Sequence, residues 1–153
     1  MVSRDGWALL VVVCLLVMIG TTSPLFGQSM KIVVATVPLP TEGEEVSLPG
    51  LRYGHPWRTE LTSIRWVVDK EESDRIRVLW TLSGSNGRAR PQRVRIEINV
   101  LDDSGETVAA VVRTVILKHS TKDQKIKIKM KASLQKWTRG ESLRIMGNFF
   151  IGS

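Results

Sequence analysis

From residue 60 onward the apolar side chains return at every second position. Ile64, Trp66 and Val68 form one stripe, Ile76, Val78, Trp80 and Leu82 a second, and Val94, Ile96, Ile98 and Val100 a third. Ile126, Ile128 and Met130 follow, and Leu143, Ile145, Phe149 and Ile151 close the series. Side chains alternate across a pleated strand, so each stripe lies on one face and has to be covered. No segment of the mature chain has helical length and period. About seven short strands without a crossover helix predict an all-β chain with two antiparallel sheets packed face to face.

The residues between the stripes fit this plan. Lys31 to Val37 is a β-prone run ending at Pro38, which has no amide to donate and suits an edge strand. Pro40, Gly43, Pro49, Gly50, Gly54 and Pro56 then mark a long loop over residues 38–58. Asp69 to Asp74 reads as a turn, Ser83 to Pro91 as a loop, and Asp102-Asp103-Ser104-Gly105 as a hairpin turn. Thr107 to Leu117 is apolar in both registers, which predicts a central strand covered on both sides or a bulge. Ala132 to Trp137 can close as one helical turn, with Trp137 a plug beneath it, and Trp66 and Trp80 are expected in the core.

The start of the chain is written differently. Arg4 and the amino terminus outweigh Asp5, an uncharged run extends from Trp7 to Ile19, and Gly20, Thr21, Thr22, Ser23 and Pro24 follow. This is the layout of a secretory signal, with residues 1–29 removed, residues 30–59 an edge strand and loop, and residues 60–153 the sandwich domain. Thirteen residues would span about 20 Å as a helix, short of the roughly 30 Å hydrocarbon core, so a retained membrane anchor is the weaker reading. A secreted or periplasmic location is expected. Cys14 lies within the leader, so the mature chain has no thiol, and about 124 residues are enough to bury a core without disulfides.

Residues 75–151 resemble the bacterial extracytoplasmic immunoglobulin-like sandwiches of the FxLYD kind. The likeness rests on an alternating strand from Arg75 to Leu82, a second running into Leu101-Asp102-Asp103-Ser104-Gly105, and the step Arg139-Gly140-Glu141-Ser142 into the closing strand. It implies a module for binding, scaffolding or envelope assembly, and no catalytic residue.

Charge supplies the candidate site. The chain carries 22 Lys and Arg against 15 Asp and Glu, and removing the leader keeps the surplus of seven, with 21 against 14. Lys125, Lys127, Lys129 and Lys131 alternate with Ile126, Ile128 and Met130, which aligns four ammonium groups about 6.7 Å apart on one strand face. Neighbours repel by only about 0.6 kcal/mol in water before salt screening. Such a ridge suits a polyanion: acidic polysaccharide, lipopolysaccharide or anionic lipid headgroups. It also reads as a solvated face that blocks edge-to-edge sheet pairing. Nucleic acid is not the expected partner, because no aromatic for base stacking is interleaved with the lysines. Arg93 and Arg95 are expected to be neutralised by Glu97 on their own face, and the eight acids of residues 41–74 to cover part of the basic surface.

A second candidate is the stretch Tyr53, His55 and Trp57, two aromatics and an imidazole among turn formers, which suits a sugar- or peptide-binding loop or a cap on one end of the sandwich. Catalysis has little to build on. His55 and His119 are the only imidazoles, and neither sits in a nucleophile motif, a phosphate loop or a zinc-binding set. The reading is therefore an exported non-catalytic module without cofactor or metal, with a small enzyme centred on His55 the remote alternative.

Overall fold

The computed structural model describes residues 30–55 and 58–151; residues 1–29, where the signal is expected, and Trp57 lie outside them. The described chain is all-β, with two antiparallel sheets enclosing one core. The strands are β1 (Met30–Pro38), β2 (Val46–Ser47), β3 (Arg52–Tyr53), β4 (Thr59–Glu71), β5 (Arg75–Asn86), β6 (Gln92–Leu101), β7 (Thr107–Leu117), β8 (Thr121–Ser133) and β9 (Ser142–Phe150). A single helical turn, α1 (Leu134–Trp137), separates the last two. The first sheet has the order β1-β9-β6-β7; the second has β2-β4-β5-β8, with β3 also paired to β4.

Each stripe read from the sequence becomes the inward face of a strand, except that Ile151, read into the last stripe, lies exposed beyond the end of β9. Leu143, Ile145 and Phe149 join Val94, Ile96, Ile98 and Val100 from the first sheet, all fully buried. Opposite them lie Ile64, Trp66, Ile76, Val78, Trp80, Leu82, Ile126, Ile128 and Met130. Trp66, Trp80 and Trp137 meet at the α1 end: Trp137 stands edge-on to Trp66 at 5.0 Å and to Trp80 at 6.2 Å. The Ser133 hydroxyl caps α1 by accepting from the Lys136 amide, and Leu134 N–H donates to the Asp74 carbonyl. The helical turn is thereby tied to the β4–β5 hairpin.

Three segments differ from the sequence reading. Ser83 to Asn86 is not loop but the end of β5, paired with β4 and β8. Buried Asn86 makes this possible by satisfying itself: its amide donates to the Arg90 and Leu117 carbonyls, and its oxygen accepts from the Thr59 hydroxyl and Arg88 N–H. Gly84 has no side chain to collide with Leu117, whose Cδ2 would lie 2.8 Å from a Cβ there. β7 is an edge strand, not a central one, and the other reading of its two apolar registers, a bulge, matches a register shift opposite Val100/Leu101 that leaves Val108 unpaired. Its outer apolar residues Val112 and Ile116 are simply exposed. The loop read over residues 38–58, finally, contains two short strands, since Val46, Ser47, Arg52 and Tyr53 pair with β4, while β1 is the edge strand expected and pairs along its length with β9.

The Asp102 turn forms as read. Its carboxylate accepts from the Ser104 hydroxyl and from the Glu106 and Ser104 amides, and these bonds hold it below the ordinary carboxylate range. Past α1 the chain turns back at Gly140, where a Cβ would meet Val100 Cγ1 at 2.7 Å and the Trp137 carbonyl at 3.2 Å. Val100 is fully buried and β-branched, so it has little room to give way. Gly140→Ala is expected to cost about 1–3 kcal/mol, read as a lowered urea midpoint at unchanged slope.

Candidate functional site: a basic sheet face

The lysine ridge is the outward file of β8, an edge strand of the second sheet. Ile126, Ile128 and Met130 point into the core, so alternation forces Lys125, Lys127, Lys129 and Lys131 outward, and all four are exposed. The register shows what lies beside them. Lys125 is opposite Ser83, Lys127 opposite Thr81, Lys129 opposite Leu79 and Lys131 opposite Arg77 on β5. One strand further, Arg65 on β4 is opposite Thr81. The site is therefore wider than one strand: Arg65 and Arg77 join it across three strands. Alternation already places both arginines on the polar side of their stripes, but their neighbourhood with the lysines follows only from the strand pairing.

The cations are not equivalent. Lys125 Nζ donates to Ser83 Oγ at 2.6 Å and lies 3.2 Å from the Asp123 carboxylate. Arg77 is paired with Asp69, and Lys70 with Glu72 at 2.9 Å. Among the described residues, Arg65, Lys127, Lys129 and Lys131 have no carboxylate partner. An open hollow lies at either end of this group. One is lined by Glu45, Arg65, Thr81, Lys125 and Lys127, the other by Lys70, Glu72, Arg75, Ile76, Arg77 and Lys131.

The acids of residues 41–74 cover only part of the basic face: Asp69 pairs with Arg77, while three glutamates are engaged elsewhere. Glu42 accepts from Val68 N–H, Glu44 from the Thr41 amide and hydroxyl, and Glu45 from the Ser63 hydroxyl. They fasten the β1–β4 connection to the sheet edge, and the two bonds from Thr41 hold the Glu44 carboxyl below its usual range. The ten cations of residues 113–144 also divide. Arg144 belongs to the first sheet, while Lys136 and Arg139 sit on α1 and the turn after it.

The second candidate group separates. Tyr53 is half-buried and stacks on Phe149, with ring centroids 5.9 Å apart, so this ring closes one end of the core. His55 is exposed, and Trp57 lies outside the described residues. His119 is exposed in the β7–β8 turn beside Ser120, whose backbone is left-handed. Among the described residues no three His, Cys, Asp or Glu side chains are grouped to hold a metal, and no helix is long and apolar enough to cross a membrane. No protein-family model matches the chain, and no curated protein matches it significantly.

Proposed function

We propose that this chain is an exported, non-catalytic β-sandwich module whose second-sheet face binds an acidic polysaccharide. The observation that carries the reading is the group Arg65, Lys127, Lys129 and Lys131: four cations on one face, unpaired among the described residues. Surface ion pairs are worth little, so a protein loses almost nothing by pairing its exposed lysines. Leaving them open to solvent keeps a field that a polymer of regularly spaced carboxylates or sulfates can meet at several points at once. An open face flanked by hollows accepts a chain lying across it.

The immunoglobulin-like reading has support in strand order. In that fold A, B and E are neighbours in one sheet, and C and F in the other, extended in variable-type domains by C′ beside C. Here β4-β5-β8 has the order A-B-E, and β7-β6-β9 the order C′-C-F. β1, although first in the chain, pairs with β9 where strand G would lie. Export rests on the signal-like layout of residues 1–29.

The test is retention of the full chain on immobilised heparin across a salt gradient. Lys127→Gln combined with Lys129→Gln should elute at distinctly lower salt. Lys136→Gln with Arg139→Gln removes equal charge away from the ridge and should elute close to the parent. Equal shifts in both would mean that net charge alone, not this face, holds the polymer.

A further inference from the structure

The face of the sandwich opposite the lysine ridge has a different character. Met30, Ile32, Val34, Val112, Ile116 and Ile151 are the exposed large apolar residues among those described, with 38% to 58% of their surface accessible. The first three are outward on β1, the next two are outward on β7, and Ile151 directly follows β9. All six belong to the first sheet or its margin. Half-buried Met146 and Phe150 on β9 extend the β1 file inward.

Between the two apolar files run Arg93 and Arg95 of β6. Register places Met30, Phe150, Arg93 and Ile116 in one row across the sheet, and Ile32, Asn148, Arg95 and Thr114 in the next. The Arg93 guanidinium lies 5.7 Å over the Phe150 ring. The expected neutralisation by Glu97 is not found: its carboxylate accepts from Asn99, and neither arginine has an ion pair among the described residues. Glu97 is also the one carboxylate at an outward position of the four strands. At the β6 end of the face, Arg90, Pro91, Arg93 and Ile116 line an open hollow of about 350 Å³.

We propose that this face seats the protein on an anionic phospholipid bilayer. Guanidinium groups bind phosphate through paired N–H donors. Apolar side chains beside them gain by entering the boundary between headgroups and acyl chains, about 5–10 Å deep. A protein partner would bring one fixed pattern of charge, whereas alternating files of guanidinium and aliphatic groups match a surface that is anionic and greasy everywhere. Seated this way, the protein turns its lysine face to the aqueous side. The proposal does not depend on what that face binds.

The test uses the full chain with vesicles containing phosphatidylglycerol, and reads which face the lipid covers. Hydroxyl-radical oxidation should be suppressed at Met30 and Met146 when vesicles are added, while Lys127 and Lys129 remain open to acylation. Arg93→Gln with Arg95→Gln should weaken binding roughly thirty-fold at low salt, with an unchanged circular dichroism spectrum. Ile116→Ser, which alters no charge, should weaken it further. Met30 and Met146 oxidised as fast on vesicles as off them would overturn the proposal, as would protection of the lysines instead. Retention on heparin reads the other face and bears only on the polysaccharide reading.

Discussion

Trp80→Ala is expected to destabilise the fold by about 3–5 kcal/mol, the usual range for deleting a large buried aromatic. Trp80 is fully buried at the centre of the second sheet, between Trp66 at 6.4 Å and Trp137 at 6.2 Å. Its removal would leave a void that neither neighbour can fill. Trp66 is held by its Nε1–H, which donates to the Pro40 carbonyl at 2.9 Å, and Trp137 by α1. Against a total stability of about 5–15 kcal/mol, this is a third or more of what a domain has. Trp80→Phe should cost much less, because Trp80 Nε1 has no hydrogen-bond partner to lose. Trp66→Phe, in contrast, orphans the Pro40 carbonyl and should loosen the β1–β4 connection. Urea unfolding of the three variants gives the order; a Trp80→Ala protein within 1 kcal/mol of the parent would show that the three rings do not form the centre of the core.

The three tryptophans also show how far the sequence could be read. Period-two spacing placed Trp66 and Trp80 inward, because each sits in an unbroken apolar stripe. The helical turn before Gly140 was readable for the same reason, as an interruption between two stripes. The same logic misreads residues that are apolar on both faces. In β7, Val112 and Ile116 suggest cover on a second side, yet they are exposed on an edge strand. β1 carries Met30, Ile32 and Val34 outward in the same way. A pattern of apolar residues reports which faces avoid water, not whether this chain or something else covers them. The lysine file was legible because β8 alternates without error. Its widening by Arg65 and Arg77 was not, since strand pairing is a property of the fold. Asn86 marks the opposite limit: Ser-Gly-Ser-Asn-Gly has loop composition, and only the partners of one amide make it strand.

Those partners make Asn86→Asp the substitution with the clearest pH signature. The Asn86 amide nitrogen faces two carbonyl oxygens, Arg90 at 2.9 Å and Leu117 at 3.2 Å, in a fully buried position. A carboxylate there would present an oxygen to two acceptors, while the neighbouring Arg88 guanidinium is already engaged by the Gln92 side-chain oxygen. Breaking up such a site at neutral pH is expected to cost about 3 kcal/mol or more. The cost can be relieved only by protonation, since a carboxylic acid can donate to one of the two carbonyls. The folded state therefore raises the pKa of the introduced group above its unfolded value of about 3.9. Below that value both states bind the proton and the deficit relative to the parent is smallest. As pH rises, the unfolded state ionises first and the deficit grows, levelling off only above the folded pKa. Asn86→Ala loses these two hydrogen bonds and the two that its oxygen accepts, but adds no titrating group, so its deficit should stay nearly flat with pH. Unfolding free energies of parent and both variants between pH 3.5 and 8 separate the cases. A pH-independent deficit for Asn86→Asp would mean that water reaches this end of β5, and that the β5–β6 connection is held by something other than the Asn86 amide.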